Sequence, residues 1–344
     1  MVRALLITIL LLVAATFPSA SPTKPQSGAV SNRRLELRVN PFADLYFFVY
    51  KLSSTSEKSP GNEAFAPAVE VARQLPLVLT LIDKVPFELE NAAAAEKLFA
   101  TFPETHKTRN GEVVAVREKA VRFGQSLVAV EKPFMETVWP QHKVLIEQAM
   151  TRIERTLLPK EKESFDYFIR HLGMEEAKAS IPVYLVAETP WPGGFTMWGK
   201  DATRGVCVMS VTAYQGSALI SGVLHEAIHA LDLETKGKGN VLVELRERLL
   251  KAGIPEDDTI VRHGPHMLVF IQSSETVRRL IDPSYEPYKE GVFIRPGLQP
   301  LVNVELPIWT AYLDGKISRA EALDQMVAAF VKARKSDASP KVQP

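Results

Sequence analysis

The chain has 344 residues, with 41 Lys and Arg against 40 Asp and Glu, a net charge of +1, and 46% hydrophobic residues. That balance leaves no basic footprint for a nucleic-acid partner, and a chain of this length can bury a core without covalent staples. Cys207 is the only cysteine, so no intrachain disulfide can form.

The chain opens on Met1-Val2-Arg3, a basic start, followed by an apolar run from Ala4 to Phe17 and small residues up to Ala20. This is the outline of a secretory signal peptide over 1–20, and the run is too short to span a bilayer. The expectation is an exported protein, periplasmic or extracellular, with no membrane span once the signal is cleaved. Residues 21–36 read as a flexible leader rich in Ser, Pro and Lys, and 336–344 as a similar tail. Residues 37–175 read as a helical region. Helices are expected over Pro41 to Leu52, Ala92 to Ala100, Glu118 to Val130, Val144 to Leu158, and Glu161 to Leu172, the last closed by Gly173. In 176–335, Ile181 to Glu188 and Gly205 to Tyr214 read as strands, with a Pro- and Gly-rich loop between them. Trp191 and Phe195 beside the paired glycines suggest either a flap or a plain hairpin loop. Further helices are expected over Leu306 to Leu313 and Ser318 to Lys335, the latter with Ser318 and Glu321 in capping-box register.

The most specific signal is His225-Glu226-Ala227-Ile228-His229, an HExxH motif inside an apolar, helix-compatible run. Residues four apart share a helix face, so two imidazoles there can grip one ion at about 2.0–2.1 Å. Glu226 is rotated about 100° from His225, close enough to act on a polarised water without ligating the metal. Charged and polar groups in such a run are costly unless paired or metal-bound.

On this motif the chain resembles the zincin metallopeptidases over about residues 181–281. The resemblance implies one Zn²⁺ held by His225 and His229, with Glu226 as general base for peptide-bond hydrolysis. The metzincin pattern would need Gly at 232 and His at 235, where this chain has Asp232 and Thr235. The gluzincin type takes its third ligand from a Glu on a later helix, and no named family within that type is assigned. Arg279 stands where the thermolysin-like pattern has Asp.

The downstream helix is expected over Gly264 to Ile281, with Pro265 in its first turn. Glu275, at the edge of its apolar stripe and beside small Ser273 and Ser274, is the expected third ligand. His266 is the alternative. Nine residues separate the two, about 180° around a straight helix, so they can hardly share one ion. Glu234, Glu244 and Glu247 remain further candidates, though Arg246, Arg248 and Lys236 around them suggest solvated charges.

Asp232 could orient an imidazole or be a polar residue near a helix end. Tyr285 and Tyr288 offer phenols to a developing oxyanion, as does His266 if it is not a ligand. By the zincin resemblance, the strand before the motif helix forms the sheet edge, placing Val206, Val208, Ser210 and Thr212 along a bound peptide; an ordinary core strand is the other reading. Cys207 on that strand reads as a small buried hydrophobe. The expected fold is α+β, a mostly helical body with a small, mainly antiparallel sheet beside the metal helix. The expected partner is a peptide or protein substrate. The alternative is a secreted zincin-like metal-binding protein without turnover.

Overall fold

A polar N-cap, a proline and an aromatic stripe start the first helix, which anchors one end of a four-stranded sheet. The computed structural model describes residues 33–55, 62–74, 88–107, 113–176, 179–190, 193–199, 204–235, 239–289 and 291–337. The signal peptide, most of the leader, Trp191 and residues 338–344 of the tail therefore lie outside the described residues.

Strand β1 (Leu35–Val39) leads into helix α1 (Pro41–Ser54). Asn40 caps α1 by accepting from the Phe42 N–H at 2.9 Å, and Pro41 takes the first helical position, where its missing N–H costs nothing. Helices α2 (Ala66–Arg73) and α3 (Ala92–Phe99) follow, then a short hairpin of β2 (Thr105–Lys107) and β3 (Val113–Ala115). Next come α4 (Arg117–Thr137), α5 (Trp139–Thr156) and α6 (Glu161–Leu172), which ends at Gly173 in the left-handed conformation, φ 67°. Strands β4 (Ile181–Val186), β5 (Gly194–Trp198) and β6 (Gly205–Ser210) precede α7 (Gly216–Thr235), the helix of the HExxH motif. Helices α8 (Val241–Lys251), α9 (Thr259–Leu280), α10 (Gln299–Leu313) and α11 (Arg319–Asp337) complete the unit. Ser318 and Glu321 exchange the two hydrogen bonds of a capping box at the start of α11.

The main sheet has the order β1-β4-β6-β5. Two of its three pairings, β1 with β4 and β4 with β6, are parallel, and only β5 with β6 is antiparallel. The α+β class holds, but the sheet is mixed rather than mainly antiparallel. The crossover from β1 to β4 runs through helices, whereas β4 reaches β6 by way of β5, and helices pack on both faces of the sheet. Every residue of β4 and β6 is accordingly buried. Their alternation then feeds two cores: Val183, Leu185, Cys207 and Met209 join the helices around α7, while Tyr184, Val186, Val206 and Val208 join α1, α3 and α4.

A hydrogen-bonded staple ties the first helix to the sheet. Asp44 accepts from the Ala187 N–H at 2.7 Å and pairs with His142 Nδ1 of α5 at 2.7 Å. Gly205, at the start of β6, lies so close to α7 that an added Cβ would stand 2.6 Å from Ala230 Cα. That near-contact sets the motif helix close against the sheet, and the described residues form one unit.

Candidate metal centre

Helix α7 is apolar around most of its circumference, with Leu219, Ile220, Val223, Leu224, Ala227, Ile228 and Leu231 all buried. It lies between β5 and β6 on one side and α9 on the other. Small side chains let α7 and α9 approach: Ser221 Oγ is 3.3 Å from Ser273 Oγ and 3.2 Å from Ser274 Oγ. One turn on along α7, the His225 ring lies over Phe270, with centroids 4.0 Å apart. The two helices are thus antiparallel, and the next step of this register brings α7 residue 229 level with α9 residue 266.

That register selects the third imidazole. His225 Nε2 is 3.1 Å from His266 Nε2 and 3.1 Å from His229 Nε2. Among the described residues, these are the one group of three His, Cys, Asp or Glu whose ligand atoms, within 4.8 Å of one another, could hold a metal ion. A tetrahedral ion at about 2.0–2.1 Å from each nitrogen would separate them by about 3.3 Å, close to the spacing present. The chemistry of the set fits a cation too. His225 Nε2 faces two other ring nitrogens and has one proton at most to share between them. Exposure rises across the group: His225 is buried, His229 intermediate and His266 exposed, so the cluster is open on the His266 side.

The electrostatics prepare the rings for ligation. Burial, then the neighbouring imidazoles, hold His225 well below the ordinary histidine range. Burial pushes His229 down to about 3, with His266 adding to it, and pushes His266 down to about 4, with His263 adding to it. All three are neutral at pH 7, the form that binds metal.

Glu226 points toward the sheet. Thr196 Oγ1 of β5 is 2.7 Å from its Oε2 and 2.9 Å from its carbonyl oxygen. Burial raises the carboxyl to about 7, against the pull of the Thr196 hydrogen bond. Gly194, at the head of β5, leaves room for this group, since a Cβ there would stand 2.8 Å from Glu226 Oε1. Behind Gly193 lies the Tyr214 ring, whose phenol is pushed up to about 12 by burial and by the Glu226 charge.

Several expected roles are corrected by this geometry. Glu275 is fully buried away from the cluster, where its carboxylate takes hydrogen bonds from Arg278 at 2.6 and 2.9 Å, Arg279 at 2.8 Å and the Tyr288 hydroxyl at 2.5 Å. Burial alone would raise its pKa, but these donors outweigh it and the net shift is downward. Tyr288 is thereby committed to Glu275 rather than to an oxyanion, and Tyr285 packs at the margin of the core around α7. The remaining glutamates also lie outside the cluster: Glu234 accepts from the Gly205 N–H at 3.3 Å, Glu244 pairs with Arg248 at 2.5 Å, and Glu247 is exposed. Asp232 accepts from the Asn240 side chain, which in turn caps α8 through the Val243 N–H. It therefore ties α7 to α8, and among the described residues no hydrogen bond joins it to an imidazole.

The edge strand is also reassigned. Val206, Val208 and Ser210 lie in β6, which is paired on both sides, and Thr212 lies just beyond it, bonded to the Ala187 carbonyl at 2.8 Å. The edge beside α7 is β5, which has a partner on one side only among the described residues. Phe195 is part of that strand and stacks on Phe47 at 6.1 Å, so it is not a flap residue.

Beside the histidines opens a cleft of about 710 Å³ between α7, α8 and the first half of α9. His229 and His266 form one wall, Leu242, Val261 and Val269 an apolar floor, and Arg246 and Arg262 contribute positive charge. Sequence reasoning missed Thr196 and Arg262. Thr196 lies in a five-residue strand hidden by its Gly-Gly start, and Arg262 precedes Pro265, where the helix was expected to begin. Asp258 was the available signal, because it caps α9 by accepting from the Ile260 N–H at 2.9 Å and so starts the helix earlier.

Comparison with family models, curated proteins and solved structures gave no match to this chain.

Proposed function

We propose that the protein is an exported zinc-dependent hydrolase that cleaves peptide bonds. The observation that carries this reading is the convergence of His225, His229 and His266 at one point, with a buried carboxylate on the residue next to the first of them. Three imidazoles with an open side match catalytic zinc sites in donor type and number. When bound, the ion would supply Lewis acidity to a carbonyl and to water.

The rest of the chemistry belongs to the chain's own residues. Glu226, with its carboxyl raised to about 7, is poised to accept a proton from the attacking water and return it to the departing amine. Water and amide then become a carboxylic acid and an amine, with the carboxylate regenerated. Thr196 holds the Oε2 atom of Glu226 and so sets the direction of the other oxygen. The side of β5 that has no strand partner among the described residues offers backbone donors and acceptors to an extended peptide, next to Glu226. No helix among the described residues is long and apolar enough to cross a membrane, and the reading of export rests on the N-terminal sequence.

The test is Glu226→Gln assayed on a peptide library beside the wild-type chain. Stoichiometric zinc in both proteins, with chelator-sensitive cleavage in the wild type alone, is the expected result. Zinc without cleavage in the wild type would support a metal-binding module instead, and undiminished cleavage by the variant would overturn the role of Glu226.

A further inference from the structure

Resting on that hydrolytic reading, we propose that the cleft beside the histidines receives the part of a peptide that carries a carboxylate, with Arg262 as its counter-charge. Arg262 precedes His266 by four residues on α9, one helical turn, so the two share a face about 6 Å apart along the axis. Both line the cleft. Arg262 is exposed and makes no ion pair or side-chain hydrogen bond among the described residues.

Asp232, Arg246, Glu256 and Asp257 also line the cleft. Arg246 is bound by Glu256, and Asp232 by Asn240. Asp257 lies before the start of α9, nine residues ahead of His266 in the chain. Arg262 is thus the cationic side chain of the cleft that has no ion pair among the described residues, and it stands one turn from His266. Leu242, Val261 and Val269 supply an apolar floor on which the body of a residue can rest, and the planar guanidinium can meet a carboxylate in a bidentate contact.

A carboxylate one residue length beyond the scissile bond, about 3.8 Å between successive Cα atoms, comes within reach of the long Arg262 side chain. It can come from two sources, the free C-terminus of the peptide or an acidic side chain at that position. The chemistry that Arg262 recognises is the same.

The test is binding of three probes to zinc-loaded, full-length Glu226→Gln, in which cleavage is disabled. The probes are an N-acylated dipeptide with a free C-terminus, its C-terminal amide, and an amide with Glu as the last residue. Calorimetry is repeated with Arg262→Gln and Arg262→Lys added. The expected result is at least about tenfold tighter binding of a carboxylate probe than of the neutral amide, lost with Gln and partly kept with Lys. Which carboxylate probe shows the preference identifies its source. Equal binding of charged and neutral probes, no binding of any probe, or a preference that survives Arg262→Gln would each overturn the proposal. A surviving preference would mean the carboxylate sits on the metal itself. Wild-type cleavage of amidated peptides without any charge preference would sink this inference alone. A preference that depends on Arg262, in a protein whose wild type cleaves nothing, would sink the hydrolytic reading alone.

Discussion

Lowering the pH from 7 to 5 distinguishes a prepared imidazole cluster from three ordinary histidines. An imidazole titrating near 6.5 is protonated about 30 to 1 at pH 5, and it must shed that proton to ligate. Relative to pH 7, each such residue costs about 25-fold in metal affinity, and three together cost about ten-thousand-fold. In this protein His225 lies well below that range and His229 is pushed down to about 3, so neither competes with protons at pH 5. His266 is pushed down to about 4, but it is exposed, and solvent weakens such a shift. Counted at its ordinary value it sets the upper limit of the loss, about 25-fold. The sign for stability follows from the same direction. Below about 6.5 the unfolded chain takes up protons that the folded, metal-free protein refuses, so this part of the stability is complete above that pH. It is lost as the pH falls toward 3 or 4. Competition with a chromophoric chelator at pH 7, 6 and 5, corrected for the chelator's own protonation, measures the affinity, and circular dichroism checks that the fold persists. A loss of a thousandfold or more in a still-native protein would refute the prepared cluster.

Two further outcomes separate the ligands from their neighbours. His266→Ala should weaken zinc binding by more than about a hundredfold with little change in folding, because the residue is exposed. Glu275→Gln should do the reverse, leaving zinc affinity intact and costing about 1–3 kcal/mol in urea unfolding, since Arg278 and Arg279 lose a buried partner but keep contact with water. Thr196→Val removes the hydrogen bond to Glu226 without changing the side chain's size. It should lower kcat by about 5- to 30-fold at unchanged zinc content and KM, with Thr196→Ser restoring most of it; a Val variant as active as the wild type would leave Thr196 no positioning role.

The pieces of the fold that were legible are those set by neighbours along the chain. Glu161 to Leu172, closed by Gly173, and the Ser318 capping box follow from periodicity and end signals, and both stand as expected. Helix α9 is legible from its apolar stripe, but Pro265 suggests a start about one and a half turns later than Asp258, which is the actual cap. Glu275 and His266 stand on different faces of α9, as their nine-residue spacing implies: one faces Arg278, Arg279 and Tyr288 and the other faces His225. What helical geometry within α9 lacked was any reason to prefer one face over the other.

By itself the amino-acid sequence determined that His225, Glu226 and His229 share one apolar helix, because a 3.6-residue repeat and the cost of placing polar groups among apolar ones act over a few neighbouring positions. Only the tertiary structure decided that His266 completes the cluster and that β5 rather than β6 is the sheet edge beside α7. The antiparallel setting of α9 on α7, through Ser221, Ser273 and Ser274, and the strand order β1-β4-β6-β5 are outcomes of packing between segments far apart in the chain. No local pattern encodes them.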